Sequence, residues 1–189
     1  MGRPVTGSGP WRAPPAKAAG RPPDDVHAAW VLWLAATGFA LIGMLLNSAT
    51  ARFADLPVAT RDGFRAAIEN AGEAGLSVEA LFTAALVVGA VLAVLASVVT
   101  VWLAFRLRAG RGWARTMLDI VAIFLVVDAV SVVIGVFGGV AVAGQRGEIV
   151  SFAVFSLQIL AGLCAATAVW RQHTAEAMAF TAGGVRAGE

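Results

Sequence analysis

Tyrosine is absent, cysteine and lysine each occur once, as Cys164 and Lys17, and histidine occurs twice, as His27 and His173. A single cysteine excludes an intrachain disulfide and any C-x-x-C pair. Cys164 falls in an apolar run, where a small core residue is its simplest role. His27 has only Asp24 and Asp25 beside it, too poor a set to expect a metal, and no other cofactor is expected. H-E-x-x-H, Ser-His-Asp spacing and phosphate-binding loops are all missing, so the chain reads as non-enzymatic. Charge is scarce as well: Asp, Glu, Lys and Arg make up 14% of the chain, against about 25% in soluble domains. A formal net charge of +2 gives no case for a nucleic-acid partner. Proline is missing from every long apolar run, because six of the seven prolines precede residue 26.

What is present is apolar sequence, 59% of 189 residues, in four blocks at about 28–49, 78–105, 116–142 and 149–170. Each exceeds the ~20 residues that cross a bilayer as a helix. The expected fold is therefore all-α: a four-helix transmembrane bundle over 26–172, with an external loop at 50–77. Residues 1–25 are rich in proline and glycine, lack periodicity and read as a disordered cytoplasmic tail; 173–189 read as a cytoplasmic C-terminal tail. A cleaved secretory signal is the competing reading of the first block, since Ala49-Thr50-Ala51 has the small-x-small form. That apolar run outlasts a signal's core of about 7–15 residues, and the segment before it makes a poor n-region. The preference for arginine over lysine, with abundant Ala, Gly and Val, points to a GC-rich bacterial genome.

Cations set the expected orientation. Ten of the fourteen fall on one side: Arg3, Arg12, Lys17 and Arg21, then Arg106, Arg108, Arg111 and Arg115, then Arg171 and Arg186. Arg52, Arg61, Arg65 and Arg146 fall on the other. The positive-inside rule then places both termini in the cytoplasm of a bacterial cell membrane. Trp30, Trp33, Trp102, Trp113 and Trp170 lie at that same face and are expected to anchor it at headgroup level. The arginines beside them suit anionic inner-leaflet lipid. A second copy of the chain or another membrane protein is a further possible partner. In the external loop, Phe64, Ala67, Ile68 and Ala71 recur at helical spacing and predict a short amphipathic helix capped by Thr60. It is expected to rest on the outer leaflet or on the bundle top.

Small residues mark where membrane helices approach closely. Ala85, Gly89, Ala93 and Ser97 form one such row, Gly135 and Gly139 a second, and Gly162 with Ala166, in line with Gln158, a third. Asp128 is the most informative residue, a carboxylate near the centre of an apolar block. Such a residue costs about 2.5–3.5 kcal/mol on insertion scales and is expected to face inward. Asp128, Ser131, Gly135 and Gly139 share a stripe, and Gln158 lies at matching depth on the next helix. An Asp128–Gln158 hydrogen bond is expected, with Ser97 and Ser131 in reach. Asp119 lies nine residues earlier, out of phase, and reads as a boundary residue paired with Arg115 at i−4. The preferred role for Asp128 is a structural hydrogen bond in an accessory or regulatory membrane component. The alternative is a proton or cation site in a small transporter. Thr37, Asn47, Thr83, Ser97, Thr100 and Ser156 look too scattered along the chain to build a path.

The segment Arg108-Ala109-Gly110-Arg111-Gly112-Trp113-Ala114-Arg115 resembles the R-x-G-R-x-W-A-R connection between the second and third helices of small four-helix actinobacterial membrane proteins. Those proteins also have a proline-rich N-tail, an external amphipathic segment and a Trp-Arg boundary, here Trp170-Arg171. The resemblance implies topology, not an activity.

Orientation is testable directly. Reporter fusions after residues 20, 110 and 180 are expected to read cytoplasmic, and one near residue 65 external. An external reading at residue 110 would overturn the assignment.

Overall fold

The structure, a computed structural model, describes residues 22–56, 58–71, 77–138 and 148–186. Among these, all regular structure is helical: α1 (Asp24–Thr50), a 3-10 turn (Phe53–Asp55), α2 (Val58–Ala71), α3 (Val78–Arg108), α4 (Gly112–Phe137), α5 (Glu148–Gln172) and α6 (Ala175–Arg186). α1, α3, α4 and α5 are long and apolar enough to cross a membrane. Helix ends follow local chemistry. Asp24 and Asp25 occupy the first turn of α1, where carboxylates suit the helix dipole. The Ser77 hydroxyl caps α3 by accepting from the Ala80 N–H at 3.1 Å. α3 stops at Gly110, whose φ of +80° closes a Schellman turn: Gly110 N–H donates to Leu107 and Arg111 N–H to Arg106. α4 follows at once.

α1 and α5 form the antiparallel centre. Their facing stripes are rich in small residues: Ala29, Ala36 and Gly43 on α1, and Ala161, Ala165 and Ala168 on α5. Without a hydrophobic drive between helices in lipid, such stripes permit the close approach that dispersion requires. A Cβ on Gly43 would already sit 3.4 Å from the Leu157 Cβ. α3 packs along α1, where Trp30 meets Phe105, and α4 packs along α5. α3 and α4 meet at their shared turn, where the Trp102 and Trp113 rings lie 5.5 Å apart. Broad apolar faces of α3 (Val87, Val91, Leu95, Val98) and α4 (Ile123, Val127, Ile134) remain exposed, as lipid contact requires.

The turn end of the bundle is the most tightly sealed. Trp33, Leu107, Leu118 and Gln172 are fully buried there. The Trp33 indole N–H donates to Gln172 Oε1 at 3.1 Å, and Gln172 Nε2 donates to Asp119 Oδ1 at 2.6 Å. One amide thus ties α1, α5 and α4 together and satisfies a buried indole donor. Trp33 is therefore a core residue, not the interfacial anchor its position near a helix end suggested. Its stripe, with Ala29 and Ala36, faces α5. Asp119 likewise departs from expectation. Its partners are Gln172 and, at 3.5 Å, His173 Nε2, while Arg115 turns to donate to Thr181 at 3.3 Å.

Two further expectations change. The segment after residue 172 contains α6, begun by Thr174, whose hydroxyl accepts from the Ala177 N–H, and seated by buried Ala177 and Thr181. Phe180 of α6 lies over Gly110, where an added Cβ would stand 3.3 Å from its ring. α2 begins at Val58, so Thr60 lies inside the helix and does not cap it. Phe64 of α2 joins Phe53 and Phe82 in mutual edge contacts of 5.7–6.1 Å that fasten α2 to α3. Residues 1–21 of the expected N-terminal tail, Gly139 and the end expected for the third helix at Val142 lie outside the described residues, while Asp24 and Asp25, expected in the tail, open α1.

Glycines in the spans predict opposite signs of effect. A Cβ at Gly162 would stand 2.4 Å from the Ala129 Cβ and 3.0 Å from the Leu125 carbonyl, so α4 must move. Gly162→Ala is expected to destabilise the bundle by about 1–3 kcal/mol, as overpacking does. Gly38→Ala, with nothing within 4 Å, is expected to be neutral or stabilising by up to about 1 kcal/mol through helix propensity. Thermal unfolding in detergent checks both; equal effects would contradict the packing described.

Candidate functional site: a groove between α3 and α4

Each long helix turns one stripe toward a common space. α1 contributes Thr37, Leu41 and Met44, with Ala40 and Asn47 alongside. α3 contributes Ala93, Ala96, Ser97 and Thr100, α4 contributes Val121, Phe124, Leu125 and Asp128, and α5 contributes Gln158 and Ala161. The spacing i, i+3/i+4, i+7 recurs on α1, α3 and α4, so each set lies on one helix face. The space measures about 500 Å³, within the range of roughly 300–1,000 Å³ typical of small-molecule sites. Its walls are largely aliphatic, and alanines at 40, 93, 96 and 161 leave the room. The groove lies at the α3–α4 seam, with α1 and α5 as its floor. The sealed layer at Trp33, Leu107 and Leu118 closes the bundle at the turn end.

Polar groups that look scattered in sequence therefore converge. Thr37, Asn47, Ser97, Thr100, Asp128 and Gln158 all line this one groove. Thr83 and Ser156 do not. Asp128 and Gln158 meet as their depths suggest: Gln158 Nε2 donates to Asp128 Oδ2 at 3.3 Å. At that length the bond is weak, and Asp128 is exposed along the groove rather than sealed inside the bundle. Neither serine expected nearby joins the pair. Ser97 donates to Ala93 O at 2.8 Å and Ser131, exposed, to Val127 O at 2.7 Å, each on its own helix. Thr37 and Thr100 do the same, donating at 2.8 Å to Trp33 O and Ala96 O. A hydroxyl that has spent its proton on its own helix offers only lone pairs. The polar wall is thus rich in acceptors.

The small-residue rows only partly become contacts. Ala93 lines the groove and a Cβ on Gly89 would touch Met44 at 3.7 Å, but Ala85 is exposed. A row at i+4 spacing drifts about 40° per step on a helix of 3.6 residues per turn, enough to carry its end off the packed face. The same drift leaves Ala166 exposed while Gly162 is buried against α4. Gly135 is half-buried.

At the turn end, cations and indoles interlock. Arg106 lies 4.9 Å from the Trp102 ring centroid and Arg108 lies 4.5 Å from that of Trp30. Arg171 pairs with Asp25 at 2.9 Å. Arg111, Trp113 and Trp170 are exposed. Apart from Trp33, these cations and indoles gather at one end of the bundle, held in part by cation–π contacts.

The four long apolar helices among the described residues make this a multi-pass membrane protein by length and composition. Comparison with family models, with curated proteins and with solved structures finds no match.

Proposed function

We propose that this chain is a non-enzymatic accessory or regulatory component of a bacterial cell membrane, with both termini cytoplasmic, that acts by holding an apolar guest within the bilayer. One observation carries this reading: four helices devote a full stripe each, or part of one, to a largely aliphatic groove at the loosest seam of the bundle. The groove opens between α3 and α4, and its aliphatic walls offer dispersion contacts to a guest drawn from the bilayer. The orientation rests on the ten-to-four division of cations, and the arginine connection supports the likeness to actinobacterial four-helix proteins. Arg106, Arg108 and Arg111 at the turn end fit a surface of anionic lipid, at about 1 kcal/mol per cation.

A proton- or cation-coupled transporter is the second reading. It is favoured by the exposure of Asp128 in the groove, which a structural hydrogen bond alone does not require.

The guest-binding reading is tested with a neutral solvatochromic dye and the full chain in nanodiscs. The wild type is expected to bind the dye. Ala96→Phe, which fills the groove, is expected to weaken binding roughly fivefold or more, equivalent to about 1 kcal/mol. Val91→Phe, on the exposed face of α3, serves as the control and is expected to bind like wild type. No dye binding by wild type, or equal loss in both variants, would contradict the proposal.

A further inference from the structure

Resting on the guest-binding reading, we infer that the groove selects a lipophilic amine in its ammonium form: an apolar body carrying N–H donors to Asp128. Three observations converge. First, among the described residues Asp128 is the only ionisable one in the lining, with no described arginine, lysine or histidine beside it to balance the carboxylate. Second, among the described residues the carboxylate has one weak partner, Gln158 at 3.3 Å, and it is exposed along the groove. Third, the hydroxyls of Thr37, Ser97 and Thr100 have given their protons to carbonyls of their own helices, so their oxygens only accept.

A cavity of this character mismatches most guests. An anionic guest meets a carboxylate with no cation to offset it. A neutral hydrocarbon fits the aliphatic walls but leaves the polar wall without donors. An ammonium group supplies both missing elements, a counter-charge and several N–H donors. Their attraction strengthens in surroundings of low polarity, where charge-assisted hydrogen bonds exceed neutral ones. Depth decides between a free amine and an aminated lipid headgroup. Asp128 lies well inside the Gly112–Phe137 span and away from both its ends, so a phospholipid headgroup would have to leave the interface to reach it. The guest is therefore a small amine that partitions into the bilayer.

The experiment uses the full chain in phosphatidylcholine nanodiscs and displacement of the neutral dye at neutral pH. Naphthylmethylamine and naphthylmethanol share one apolar body and differ in the head. The amine is expected to bind roughly tenfold or more tightly than the alcohol. Its trimethylated quaternary analogue keeps the charge, loses every N–H and is expected to bind more weakly than the amine. In Asp128→Asn the amine-to-alcohol ratio is expected to fall to about one. Ser97→Ala, which removes one acceptor and is a mild change should the aspartate variant fail to fold, is expected to lower the ratio about threefold. Equal binding of amine and alcohol by wild type, an amine preference that survives Asp128→Asn, or a quaternary analogue as tight as the amine would each overturn the inference. Displacement of the dye by phosphatidylethanolamine nanodiscs as strong as that by the amine would overturn the choice of a free amine. Loss of dye binding in wild type instead counts against the guest-binding reading itself, which separates the two failures.

Discussion

The buried Gln172 amide is the joint on which the bundle depends. It accepts from the Trp33 indole and donates to Asp119, so one side chain fixes α1, α5 and α4 at one level. Each of these polar groups would be costly to bury alone. Together they are satisfied, and with Gln172 fully buried the arrangement has little freedom to slide. A transmembrane hydrogen bond averages only about 0.6 kcal/mol, with a maximum near 1.7. The network therefore fixes register more than it adds stability, and the alanine and glycine stripes of α1 and α5 supply the close contact. α6 completes the seal, with Thr181 taking Arg115 and Phe180 covering the Gly110 turn.

A bundle fastened so firmly at one end can tolerate a gap elsewhere. α3 and α4 are joined by a Schellman turn and by the Trp102–Trp113 contact, and beyond it the groove runs between them. The opposite end has its own fastening in Phe53, Phe64 and Phe82. The loosest seam of the bundle thus lies between two closures. Asp128 sits on that seam with a single 3.3 Å contact, whereas Asp119 sits in the sealed end with a 2.6 Å contact. The same residue type has opposite surroundings nine positions apart, because half a turn separates a helix face packed on α5 and α6 from one lining the groove.

The spans and the Asp128–Gln158 meeting were legible in sequence, because hydropathy and depth are one-dimensional quantities. Trp33 departs from its expected place because an indole near a helix end usually seeks headgroups, and only the position of Gln172 on a distant helix changes its role. Asp119 differs for the same reason: its partners, Gln172 and His173, come from the end of α5 and the residue after it, not from its own helix. The convergence of Thr37, Asn47, Ser97 and Thr100 was recoverable in part. Each stands on a stripe with other lining residues, but positions far apart along the chain do not reveal which faces of separate helices meet. α6 was missed because its short pattern, Ala177 and Thr181 at i+4, has too little apolar character to announce a helix.

Trp33 and Gln172 act as one unit. A double-mutant cycle of Trp33→Phe and Gln172→Leu, read by equilibrium unfolding in detergent, measures this directly. A coupling of about 0.6–1.7 kcal/mol is expected, since either change alone leaves the other group buried without its partner. Additivity of the two changes to within about 0.3–0.5 kcal/mol would contradict it.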